Sequence, residues 1–163
     1  LAQSAPLPLY RDTVRAGWVD YNGHLRDAFY MLIFSFATDA LIDYVGLDDA
    51  ARRARGRTIY TLEAHVNYLH EIKEGAQVRV DLRLLAYDEK RLHVYLEMFA
   101  DDGAEPVAAS EQMLLHIDTS GPRAAAFDPD VAASVQQLAQ EHAGLSPAAC
   151  AGRVIGLPRQ TLA

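Results

Sequence analysis

Trp18-Val19-Asp20-Tyr21-Asn22-Gly23-His24-Leu25 leads, through Arg26 and Asp27, into the apolar run Ala28 to Leu47, and this junction decides the fold. Asn22-Gly23 is a turn signal, and Gly46 is a helix stop. A helix is therefore predicted from Arg26 or Asp27 to near Gly46. Its polar residues, Ser35, Asp39 and Asp43, form a narrow stripe at i, i+4 spacing, and nearly every other position is apolar. A helix apolar around most of its circumference must be wrapped by other structure. The run is long enough to span a bilayer, but Asp39 and Asp43 make insertion costly, which marks it as a core helix.

Outward from the helix the pattern changes to period two. Leu7 to Arg15 reads as a first strand, with Pro8 placing it at an edge. After the helix, Thr58 to Leu69 alternates Leu62, Ala64, Val66 and Tyr68 against Thr61, Glu63, His65 and Asn67. Val78 to Leu84, Leu92 to Met98 and Val107 to Ile117 repeat that period, with turns at Asp88-Glu89-Lys90 and Asp101-Asp102-Gly103 that imply antiparallel hairpins. Asp128 to His142 reads as a second, amphipathic helix, and Gly144 to Ala163 as an irregular tail. The order predicts an α+β domain in which one antiparallel sheet wraps one apolar helix. The domain is expected to be single over 1–163, with its core at about 7–119 and the C-terminal helix and tail at 120–163. An exposed sheet edge invites a second copy, so a homodimer or homotetramer is expected.

Composition narrows the partners. Of 163 residues, 50% are hydrophobic and 23% charged, and the formal net charge is −7. That balance disfavours a nucleic-acid partner held through phosphates. Cys150 is the single cysteine, so neither a disulfide framework nor a thiolate metal site is expected within one chain, which suits a cytoplasmic protein. Leu1 to Leu9 lacks the features of a signal peptide. The six histidines show no metal-ligand spacing, and no phosphate-cradling glycine loop is present. No metal and no resident cofactor are expected.

The junction also carries chemistry. The free N–H groups and positive dipole end of a helix polarise a carbonyl, while a neighbouring carboxylate attacks it or activates water. On the residues alone, Asp20 and Asn22-Gly23 read equally as a cap on a core helix.

The segment Asp20, Gly23, His24, Leu25 and Tyr30, set between a first strand and an apolar helix, resembles the hotdog fold, in particular the 4-hydroxybenzoyl-CoA thioesterase-like group of acyl-CoA thioesterases. Arg26 stands where that pattern often has Asn. The likeness covers roughly Leu9 to Thr119. Four segments are closer still to thioesterases of carnitine degradation, which act on betainyl-CoA and occur fused to a carnitine dehydrogenase. They are Trp18 to His24, Ala37 to Leu41, Asp88 to His93 and Glu111 to His116.

The resemblance implies a hydrolase acting on a small acyl-CoA, with coenzyme A entering only as part of the substrate. Asp20 is then the nucleophile or the base for water, and the carbonyl oxygen is held by backbone N–H groups around Asp27 and Ala28. Asn22 and His24 orient the acid or the thioester, and Gly23 permits close approach. Trp18, Tyr21, Phe36, Tyr60 and Tyr68 are candidate rings around a cationic acyl group. Glu63 and His65 share a strand face that would complete a site across a dimer, and Lys90 and Arg91 are candidate contacts for CoA phosphates. Glu111 falls in the apolar register of its strand, so either a bulge shifts the register or the carboxylate is buried and needs a partner. The alternatives are an aryl or short-chain acyl-CoA substrate, a hydratase using His24 as base, and a non-catalytic acyl-CoA sensor.

Overall fold

The structure, a computed structural model, describes residues 4–158. Residues 1–3 of the N-terminal stretch and 159–163 of the expected tail lie outside the described residues. A curled antiparallel sheet wraps one long helix, the α+β architecture expected. The strands are β1 (Leu7–Thr13), β2 (Arg57–Tyr68), β3 (Gln77–Tyr87), β4 (Arg91–Ala100), β5 (Ala108–Asp118) and the short β6 (Arg123–Ala124). The helices are α1 (Asp27–Tyr44), α2 (Asp49–Arg55) and α3 (Pro129–His142). The sheet order is β1-β3-β4-β5-β2, with β6 paired to β5. β1, carrying Pro8, lies at one edge and β2 at the other.

α1 crosses the inner face of the sheet. Its Ile33, Phe34, Ala37 and Leu41 are buried against Val80, Leu82, Val94, Leu96, Met98 and Leu114. Burying each large apolar side chain contributes about 2 kcal/mol, so this face carries much of the fold's stability. Ser35, Asp39 and Asp43 remain exposed, as their stripe predicts. Gly46, at φ +100°, ends the helix region.

α2 departs from the sequence reading, which leaves this segment unassigned. Asp48 accepts from the Ala51 N–H at 2.9 Å, Asp49 sits in the first turn, and Arg52, Arg53 and Arg55 lie in the last. Capping and dipole complementarity account for this helix, since none of its residues is buried. α3 begins with Pro at its first position and buries Val131, Val135 and Leu138 against the core.

β5 resolves the position of Glu111. Its even-numbered Ser110, Gln112 and Leu114 share the inner face with α1, and the Thr38 hydroxyl lies 3.0 Å from Gln112 Oε1. The odd-numbered row, Glu111 included, forms the outer face. No shift interrupts β5 against β4; the irregularity lies in β2, between Thr61 and Glu63.

Candidate active site

The loop before α1 is a small hairpin. Val19 and Leu25 form a bridge, the Asp20 N–H donates to the His24 carbonyl at 2.8 Å, and the Gly23 N–H donates to the Asp20 carbonyl at 3.0 Å. Gly23 occupies the left-handed region, at φ +75°, as this turn requires. The Leu25 N–H donates to the Ile72 carbonyl at 2.8 Å, fastening the hairpin to the segment after β2.

That geometry holds the Asp20 carboxylate by one oxygen. Oδ1 accepts from the backbone N–H of Asn22 at 2.8 Å and of His24 at 3.1 Å. Among the described residues, Oδ2 accepts no hydrogen bond. The His24 N–H bond, helped by that of Asn22, keeps the Asp20 carboxyl below its ordinary range. The group is thus an oriented, ionised carboxylate with one free oxygen.

The start of α1 presents a main-chain donor. Asp27 Oδ1 takes the Ala28 N–H at 2.9 Å, whereas the Asp27 N–H has no acceptor among the described residues. One of the two N–H groups expected to hold a carbonyl oxygen therefore remains free. Beside them lies a cavity of about 260 Å³ lined by Asp27, Tyr30, Tyr68, His70 and Glu71. Glu71 Oε2 stands 3.5 Å from His24 Nδ1, which links the cavity to the Asp20 hairpin. The motif points to Tyr30 and the ring list to Tyr68. Nothing in the sequence singles out His70 or Glu71, which are brought in by the end of β2.

The remaining candidates lie elsewhere. Trp18 is buried, stacked on Phe29 at 5.8 Å, with the Arg15 guanidinium 4.5 Å over its ring. Tyr21 is 92% exposed at the hairpin tip, and Tyr60 is exposed on the outer face of β2. Glu63 and His65 do share one face, but it is the sheet face opposite α1. There they line a cavity of about 230 Å³ with His93 and Glu111. His93 Nε2 lies 2.7 Å from Glu111 Oε1, and Glu111 Oε2 accepts the Gly152 N–H at 2.6 Å. Burial pushes the Glu111 carboxyl up, but these bonds outweigh it and hold it below its ordinary value. Its partners are therefore a histidine and the tail. Arg91 is bound to Asp88, whose carboxyl it pulls down to about 2, and Lys90 stands 3.5 Å from Glu89.

Residues 14–135 match the thioesterase-like superfamily. The chain belongs to that superfamily. Like other thioesterases it is an enzyme that hydrolyses acyl-CoA thioesters. It is 51% identical to a betainyl-CoA thioesterase of Pseudomonas aeruginosa, over 95% of this chain and 98% of the relative. It is 44% identical to an L-carnitine dehydrogenase/betainyl-CoA thioesterase of Agrobacterium fabrum, over 87% of this chain but only 29% of that larger protein. Among structures, a Staphylococcus aureus protein in complex with CoA superposes with a TM-score of 0.88 at 27% identity. The match covers 97% of this thioesterase and 100% of that chain. A thioesterase candidate from Pseudomonas putida KT2440 gives 0.83 at 46% identity, covering 95% and 99%. The hotdog architecture is common to these neighbours.

Proposed function

We propose that this thioesterase hydrolyses betainyl-CoA to betaine and free CoA, as a step in carnitine degradation, with Asp20 as the catalytic acid residue. The observation that carries the catalytic part is the Asp20 carboxylate, fixed through one oxygen by two main-chain N–H groups at the mouth of α1. The substrate part is supported by the full-length likeness to a betainyl-CoA thioesterase.

In the reaction the thioester carbonyl lies between Asp20 and the start of α1. The free carboxylate oxygen either attacks the carbonyl carbon or takes a proton from the water that does. The Asp27 N–H and the helix dipole stabilise the negative charge that develops on the carbonyl oxygen. Collapse breaks the C–S bond and releases CoA as thiolate, which takes up a proton. If the carboxylate has attacked directly, water then cleaves the mixed anhydride. Thiolate leaves readily, so the site needs no strong general acid and no metal.

The site is proposed to be completed in a homodimer or a dimer of dimers. β2 is a twelve-residue edge strand, and its Tyr60 and Leu62 are exposed, which favours pairing with a second copy. In such an assembly Glu63 and His65 are the residues offered at the joined edge. Lys90 and Arg91 are the hairpin cations offered to CoA phosphates, beside Glu89 and Asp88 respectively. No helix among the described residues is by itself long and apolar enough to cross a membrane. We place the enzyme in the cytoplasm, acting on a small molecule without nucleic acid, membrane or added cofactor.

Release of free thiol from a panel containing betainyl-CoA, short-chain acyl-CoAs and 4-hydroxybenzoyl-CoA tests this reading. The highest kcat/KM is expected on betainyl-CoA. Faster turnover of a neutral short-chain or aryl thioester would overturn the substrate assignment.

A further inference from the structure

The cavity beside α1 has an unusual lining for a helix N-terminus. It presents two carboxylates, Asp27 and Glu71, two tyrosines, His70 and two leucines, and neither lysine nor arginine. Both tyrosine hydroxyls are turned to main-chain acceptors: Tyr30 donates to the His70 carbonyl at 3.0 Å and Tyr68 to the Asp27 carbonyl at 3.2 Å. The rings meet edge to face, with centroids 5.3 Å apart. With the hydroxyls engaged, neither ring brings a free O–H donor to the cavity; Tyr30 is buried, and Tyr68, 52% exposed, is the open ring of the two. Burial pushes both phenols above their ordinary value, so the rings stay neutral.

A quaternary ammonium has no N–H to donate. It is recognised only by diffuse attraction, from ring faces and from carboxylates near it. The dipole at the start of α1 opposes a cation, and the Asp27 carboxylate in the first turn offsets that opposition. Covalent structure adds a constraint, because the nitrogen of a betainyl group lies two bonds from the thioester carbonyl carbon. The wall that reads its charge must therefore adjoin the catalytic carboxylate. Glu71 meets this condition: it lines the cavity and approaches His24, whose N–H binds Asp20. Trp18 does not offer the same service, because a guanidinium already lies over its ring.

We infer that Glu71 and Tyr68, with Tyr30 and Asp27 behind them, determine specificity by selecting acyl groups that carry a quaternary ammonium next to the thioester. The inference rests on the betainyl-CoA reading and deepens it by locating the charge-reading wall.

The test compares kcat/KM for betainyl-CoA with that for 3,3-dimethylbutyryl-CoA, its uncharged isostere. Wild type, Glu71→Gln, Tyr68→Leu and Glu105→Gln are measured, the last an exposed acid on the β4–β5 turn that controls for bulk charge. Wild type is expected to favour the cation about tenfold, with each cavity variant cutting that preference by about threefold or more and Glu105→Gln retaining it. Glu71→Gln changes an exposed side chain isosterically, and matching circular dichroism confirms that the variants fold. Equal wild-type values for the two thioesters would overturn both this inference and the betainyl-CoA reading. A wild-type preference that survives in both cavity variants, or that falls equally in Glu105→Gln, would overturn this inference and leave that reading standing.

Discussion

Replacing Asp20 by Asn isolates charge from geometry. The amide oxygen can accept the same two N–H bonds, from Asn22 and His24, that Oδ1 accepts at 2.8 and 3.1 Å, so the hairpin keeps its shape. What disappears is the ionised oxygen proposed to act on the thioester. Loss of a nucleophile or general base of this kind lowers kcat by on the order of a hundredfold or more. Removing the side chains of Asn22 or His24 should do far less, less than about tenfold, because their contribution to holding Asp20 is made by main-chain N–H groups. The pH profile supplies a second reading. Asp20 is held below its ordinary 3.8, its active form is the ionised one, and activity is lost only as pH falls through that lowered value. The acid limb of kcat/KM assigned to Asp20 therefore lies below the ordinary Asp range. Thiol release from betainyl-CoA, followed on a variant whose thermal midpoint and circular dichroism match wild type, gives the answer. Near wild-type turnover in folded Asp20→Asn would falsify the mechanism.

Two further outcomes follow from packing and proton linkage. Sedimentation at micromolar concentration should give at least twice the 18.0 kDa of one chain, and Leu62→Lys on the exposed edge strand should shift it toward the monomer; a wild-type monomer would refute edge pairing. His142, buried with Nδ1 accepting the Leu84 N–H at 2.9 Å, is pushed below its ordinary value of 6.5 by burial, so it is neutral in the folded state at neutral pH. The unfolded chain takes up the proton first, and stability falls as pH drops from 6.5 toward the lowered value. Urea midpoints should decline over that window in wild type and decline less in His142→Asn, whose Oδ1 can accept the same bond; equal slopes would remove His142 from the acid response.

The sequence discloses what depends on repeated pattern. The apolar run of α1, its polar stripe and Gly46 place the central helix within a residue or two. The period-two segments place β2 to β5, and Pro8 places β1 at an edge. Asp49 to Arg55 escapes detection because α2 buries nothing and so writes no apolar stripe; only its cap and charges hold it. The face of β5 is misleading for a related reason. Its odd row is the more apolar, yet the even row faces α1, where Gln112 meets Thr38 and leaves no hydrophobic signature. At the site, Asp20 and its turn are legible as a local motif. The cavity wall is not, because Tyr68, His70 and Glu71 reach α1 only through the path of β2 and the pairing that fastens Leu25 to Ile72.

The Asp20 carboxylate is gripped entirely by peptide groups, and peptide groups do not change when residues do. Apart from proline, which lacks the N–H, residue identity at 22 and 24 is immaterial to the grip as long as the turn persists. The cavity beside it is lined by side chains: Tyr68, His70 and Glu71 from the end of β2 and the segment beyond it, with Leu25, Asp27 and Tyr30 from the hairpin and α1. Under the proposed function, holding the reactive oxygen is thus a task of the main chain and choosing the substrate a task of side chains, so a lineage with this fold can alter its diet without having to reinvent its chemistry.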